Sequence, residues 1–140
     1  MKISGVRPVP ADPELWSKQS KNSVAYEFGW THYADKPYKC YRCKADAAFT
    51  AEEQKVAFEV KKRHIAYRRT LCRACHDERH KLVADERNLR GRWLGYREQL
   101  ARDKHSLAEW RRLLCELPYY GVRRDSARLK VLDKLLALEV

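Results

Sequence analysis

The sequence lacks the features that announce membrane helices and most of the common enzyme classes. No stretch approaches eighteen consecutive apolar residues, so nothing reads as a transmembrane helix. The first residues, Met1-Lys2-Ile3-Ser4-Gly5, lack the apolar run of a signal peptide, and the expected setting is intracellular and reducing, cytoplasmic or nucleoid-associated. No glycine-rich phosphate loop, no G-x-S-x-G and no paired-carboxylate motif is present. His76 is followed by Asp77 where the zinc proteases need Glu, so H-E-x-x-H is missing too. There is no internal repeat. These absences favour a binding protein over an enzyme.

What stands out instead is cysteine. Four of the five cysteines form two pairs, Cys40-x-x-Cys43 and Cys72-x-x-Cys75. A C-x-x-C turn presents two thiolates on one side of a tight backbone curve. Two such turns supply the four soft ligands that a tetrahedral Zn²⁺ takes at about 2.3 Å, leaving no position open for water. The expected cofactor is therefore one structural Zn²⁺ on Cys40, Cys43, Cys72 and Cys75, with an iron–sulfur cluster as the main competitor. A ligand exchange to His76 is a minor variant. Cys115 has no partner motif; it sits in an apolar helical pattern and reads as a small core residue.

Charge is the second signal. The formal net charge is +11, and residues 61–112 hold sixteen Lys or Arg against seven Asp or Glu. The flanking segments are close to neutral. A basic block of this kind is an electrostatic footprint for a polyanion. The candidate contacts to DNA or RNA are Lys61, Lys62, Arg63, Arg68, Arg69, Arg79, Arg87, Arg90, Arg92 and Arg97. Lys39, Arg42, Lys44 and Arg73 flank the cysteines and have another use: four thiolates on Zn²⁺ leave a formal charge of about −2 that these cations can offset.

Composition and periodicity divide the chain into three parts: a flexible N-terminal arm over 1–23 with Trp16 as a candidate anchor, a four-cysteine zinc module over 24–81, and a helical extension over 82–140 packed on it. The alternation of Tyr26, Phe28 and Trp30 predicts a short strand. Thr50-Ala51-Glu52-Glu53 is a capping box, predicting a helix over 51–62 with Val56, Val60 and Phe58 inward. Leu82, Leu89, Trp93, Tyr96 and Leu100 share one face of a further helix, which is expected to break or to pack closely near Gly91. Ser106-Leu107-Ala108-Glu109 is a second capping box, and its helix ends at Pro118. Asp125 or Ser126 caps a last helix with Leu129, Leu132, Leu135 and Leu136 inward. The fold class is small α+β, mostly α: a four-cysteine zinc module followed by two or three amphipathic helices.

Cys40-Tyr-Arg-Cys43, Phe49-Thr50-Ala51-Glu52-Glu53-Gln54 and Leu71-Cys72-Arg-Ala-Cys75 together resemble the probable zinc-ribbon domain family, over about residues 38–80. The resemblance implies a treble-clef-like module with the four cysteines as ligands and the second pair at the start of a helix, Asp77 and Glu78 falling in its first turn. It implies no activity. The family's usual Gly near the first knuckle is replaced by Lys44 and Ala45.

Three functional readings follow. The first is a non-enzymatic zinc protein that binds DNA or RNA through a basic helical surface. The second is a zinc-stapled adaptor whose leucine-rich C-terminal helices dock a protein partner. The third is a degenerate HNH-like nuclease, because Leu71-Cys72-Arg-Ala-Cys75-His76 is similar to the final knuckle of such enzymes. That third reading needs an Asp-His pair for a second metal, and His64 is preceded by Arg63.

Overall fold

Side-chain oxygens start most of the helices in the computed structural model, which describes residues 8–138. The first seven residues of the expected arm lie outside them. The chain divides into two units. One holds Lys44–Cys72 and the residues up to Cys40; the other holds Tyr41–Cys43 and the residues from Arg73 onward.

The first unit opens with β1 (Val9–Pro10), which pairs antiparallel with β2 (His32–Tyr33). Between them lie two single-turn helices, α1 (Lys18–Lys21) and α2 (Val24–Glu27), whose caps Ser17 and Ser23 accept from the amides of Ser20 and Tyr26. The strand expected over 26–30 is therefore a helix and its exit. Ser23 starts the turn, and Gly29 ends it at φ +65°, a conformation that favours glycine. Tyr26 and Trp30 pack edge-on against Trp16, while Phe28 points away and is 80% exposed. The period-two spacing came from a turn, not a pleat.

β3 (Lys36–Lys39) and β4 (Asp46–Phe49) form an antiparallel hairpin, from Lys36 opposite Phe49 to Lys39 opposite Asp46. Pro37 is tolerated because a two-stranded sheet has only edges. α3 (Ala51–Lys55) starts at the predicted capping box: the Glu53 amide donates to the Thr50 hydroxyl and the Thr50 amide to the Glu53 carboxylate, both at 3.1 Å. The helix then widens into one π-turn (Val56–Val60), with Lys62 beyond it at φ +57°. The wider turn rotates the chain. Ala57, Phe58 and Glu59 face inward, whereas Val56 and Val60, expected inside, are exposed.

Trp16, Tyr33, Phe49, Ala51, Ala57, Phe58 and Ile65 make this unit's core. A polar chain runs through it. Trp16 Nε1 donates to Tyr33 Oη (2.8 Å), which donates to Glu59 (2.8 Å), and Glu59 pairs with Lys55 (3.0 Å). Burial works to raise the Glu59 carboxyl, but donation from Tyr33, the Asp12 amide and Lys55 leaves it below its ordinary value. Burial pushes the Tyr33 hydroxyl up, which keeps it a donor.

The second unit is helical: α4 (Arg73–Gly95), α5 (Arg97–Arg102), α6 (Lys104–Glu116), a 3₁₀ turn (Leu117–Tyr120) and α7 (Ser126–Ala137). Leu82, Leu89 and Trp93 face its core, but Tyr96 does not. The chain breaks there, with Tyr96 at φ −140° and ψ 50°, and Leu100 in the next helix is buried again. The helix passes through Gly91 unbroken, and a Cβ at Gly91 would meet nothing within 4 Å, so neither the expected break nor a close approach occurs. Asp77 and Glu78 fall beyond the first turn of α4. The cap of α6 is Asp103, which accepts from the Ser106 amide at 3.0 Å; the Ser106–Glu109 capping box does not form because the helix has already begun. Asp125 caps α7 as expected.

The core joins Leu107, Trp110, Leu113, Leu114 and Leu117 to Leu129 and Leu132, so the stripe of α7 is spent within its own unit, and Cys115 packs at the margin. Trp93 and Trp110 lie 6.0 Å apart under the Arg128 guanidinium. The observed class is a small, mostly helical fold with a hairpin-bearing zinc module followed by several long helices. No helix among the described residues is long and apolar enough to cross a membrane.

Candidate metal centre

The first knuckle grows out of the β3–β4 hairpin. β3 delivers Cys40 at its end, and the loop closes with two backbone bonds: the Cys40 amide donates to the Ala45 carbonyl (2.8 Å) and the Lys44 amide to the Cys40 carbonyl (2.9 Å). This closure needs one residue in the left-handed region, and Lys44 takes it at φ +64°. The position where a glycine was expected has kept its glycine-like conformation without the glycine. A lysine there costs roughly 1–2 kcal/mol.

The second knuckle lies at the start of α4, with Cys72 just before the helix and Cys75 in its first turn. Its entry is fixed from below. Leu71 is buried, and Tyr38 on β3 donates its hydroxyl to the Leu71 carbonyl at 2.8 Å. Burial raises the Tyr38 hydroxyl above its ordinary pKa, so it remains a donor.

The four Sγ atoms of Cys40, Cys43, Cys72 and Cys75 all lie within 4.8 Å of one another. A tetrahedron with arms of about 2.3 Å has edges of about 3.8 Å, so four sulfurs within that bound are close enough to share one Zn²⁺. Cys40 is buried, Cys72 and Cys75 are half-buried and Cys43 is exposed. Four thiolates fill the coordination shell, so the ion would staple the fold and supply no reactive water. Among the described residues this is the one cluster of three or more His, Cys, Asp or Glu donors close enough to hold a metal. His76 and His80 stand edge to face on α4, 4.5 Å apart. Arg42, one of the expected charge-compensating cations, also lies over the rings of Tyr119 and Tyr120, at 5.7 and 5.4 Å.

The structure treats the ten candidate nucleic-acid contacts unequally. Lys62 donates to the Leu15 carbonyl. Arg63 lies over Tyr67 at 4.5 Å. Arg69 pairs with Glu53 and lies 4.8 Å over Phe49. Burial works to raise the Glu53 carboxyl, but donation from the Thr50 amide and hydroxyl, together with Arg69, holds it below its ordinary value. Arg90 pairs with Glu86 at 3.1 Å, Arg92 with Asp103 at 3.4 Å, and Arg97 covers Trp93 at 4.9 Å. Only Arg69, Arg90 and Arg92 of the ten meet an acid, and Lys61, Arg68, Arg79 and Arg87 have no acid, carbonyl or ring contact from their side chains among the described residues. On α4, at about 100° per residue, Arg79 and Arg90 share an azimuth, Arg87 stands to one side and Arg92 lies across the helix. They do not form one stripe. Sequence reasoning missed the Arg128 cover on the two tryptophans and the Trp16–Tyr33–Glu59 chain, because both join residues far apart in the sequence.

Residues 34–82 match the family model described as a probable treble clef domain, slightly wider than the 38–80 span of the sequence resemblance. No curated protein and no solved structure matches the chain. The matched span contains both knuckles and the hairpin and capped helix between them.

Proposed function

We propose that this chain, a treble-clef zinc-binding module with a helical extension, is a non-enzymatic protein that binds DNA or RNA through phosphate contacts. One observation carries the reading. The excess of nine positive charges over residues 61–112 includes four of the candidate cations, Lys61, Arg68, Arg79 and Arg87, whose side chains no acid, carbonyl or ring among the described residues engages. Zinc staples the fold and takes no part in chemistry. A reducing compartment, cytoplasmic or nucleoid-associated, goes with this reading.

Each phosphate neutralised on duplex DNA adds about −0.9 to the slope of log K against log salt. Four contacts give a slope of about −3.6, or roughly a 150-fold loss of affinity between 50 and 200 mM salt. Fluorescence polarisation of nuclease-treated, zinc-loaded protein with labelled duplex DNA and RNA measures it. The Lys61→Gln, Arg68→Gln, Arg79→Gln, Arg87→Gln variant is expected to bind weakly with a nearly flat slope. Absence of binding to any nucleic acid at about 50 mM salt, or an unchanged slope in the variant, would overturn the reading.

A further inference from the structure

The first unit contains an open cavity of about 460 Å³, within the range of small-ligand sites. Its wall is the segment from Phe28 to Lys36, with Gln54 from α3. The sequence builds it locally. Gly29, at φ +65°, turns the chain out of α2 and leaves Phe28 with 80% of its surface in solvent and no ring partner among the described residues. Trp30 is half-buried, held edge-on by Trp16 at 5.9 Å, and the Lys36 ammonium sits 5.3 Å over its ring.

Asp35, the one carboxylate in the wall, is committed to the fold: it accepts from the Ala51 amide at 2.7 Å, at the start of α3. Gln54 is fully buried. Its Nε2 donates to the carbonyls of Ala34 (2.6 Å) and Phe49 (2.9 Å), and its Oε1 has no hydrogen-bond partner among the described residues. A buried acceptor without a donor destabilises the fold unless something supplies one. Burial closes Gln54 off from a ligand, so the cavity offers the open aromatic face of Phe28 and the Lys36 ammonium, which has no acidic partner among the described residues.

We infer that this cavity takes one unpaired base of a single-stranded nucleic acid. The base stacks on Phe28, and its phosphate lies on Lys36. A base inside a duplex has both faces covered by its neighbours and cannot enter, so the site selects single strands. The inference rests on the phosphate-binding reading above and adds a substrate class to it.

Phe28 is exposed enough for substitution to leave the core untouched. Polarisation titrations of the full-length, zinc-loaded protein would use labelled single-stranded DNA and RNA of about 12 nucleotides, matched against their duplexes. Phe28→Ala is expected to weaken single-strand binding about tenfold or more, with the salt slope and duplex binding unchanged. Phe28→Trp should restore it. Lys36→Gln should lower the single-strand slope by about 0.7. If Phe28→Ala leaves single-strand affinity unchanged, or weakens duplex and single strand equally, the base site is overturned while salt-dependent duplex binding keeps the phosphate reading intact. If the parent protein binds neither form, both fall together.

Discussion

Lys44 gives the sharpest test of the metal centre, because two substitutions there separate backbone strain from charge. The residue sits at φ +64° in the loop that closes the first knuckle. A Cβ in the left-handed region costs roughly 1–2 kcal/mol, and glycine escapes that cost while losing about 0.5–1 kcal/mol more in chain entropy on folding. Lys44→Ala removes the charge and keeps the Cβ. Lys44→Gly removes both. The difference between the two variants therefore isolates the backbone term, and it should favour glycine by about 1 kcal/mol. Because zinc binding and folding of the module are linked, the same difference should appear as roughly fivefold tighter zinc in competition with a chromophoric chelator. In thermal unfolding it should appear as a gain of about 3 °C for a chain of this length. The Lys-to-Ala step separately measures how far this cation stabilises the thiolate cluster. Equal zinc affinities for the Gly and Ala variants would refute the argument, since they would mean that the knuckle does not hold residue 44 in the left-handed region.

Cys72→Ser should reduce zinc, read by elemental analysis, to background and raise the susceptibility of the module to proteolysis, because three thiolates do not close the site. Glu53 and Glu59 both have carboxyl pKa values depressed in the fold. The stability they contribute is fully present above the unfolded value of about 4.3 and is lost as pH falls through the depressed values. The urea midpoint of the parent should therefore exceed that of Glu59→Gln at pH 6, with the gap closing below about pH 4; a constant gap would contradict the assignment. Leu132→Ala, at a fully buried position of α7, should cost about 2–5 kcal/mol by urea denaturation, whereas Tyr119→Ala on the exposed 3₁₀ turn should cost far less.

The sequence by itself determined the ligand set, because C-x-x-C is a local motif whose geometry is imposed by a few consecutive residues. It determined the start of α3 for the same reason: Thr50 and Glu53 cap within one turn. It located α4, α6 and α7, whose apolar periodicities run over many residues. Where it failed, a distant partner or a small backbone change had intervened. The alternation at Tyr26, Phe28 and Trp30 reads as a strand until Ser23 and Gly29 are seen to bound a helical turn, and only Trp16, ten or more residues earlier, decides which rings go inward. One π-turn was enough to turn Val56 and Val60 out to solvent while Phe58 stayed in the core. The break at Tyr96 moved that ring outside.

Tertiary structure alone decided which cations are committed. Arg69 meets Glu53 and Arg92 meets Asp103 across eleven or more positions, whereas Lys61, Arg68, Arg79 and Arg87 meet no acid among the described residues. Composition counts charge, but it cannot say which charges the fold has already paired. It could not find the cavity at Phe28 either, since an exposed aromatic and a buried one are the same letter until the chain is folded.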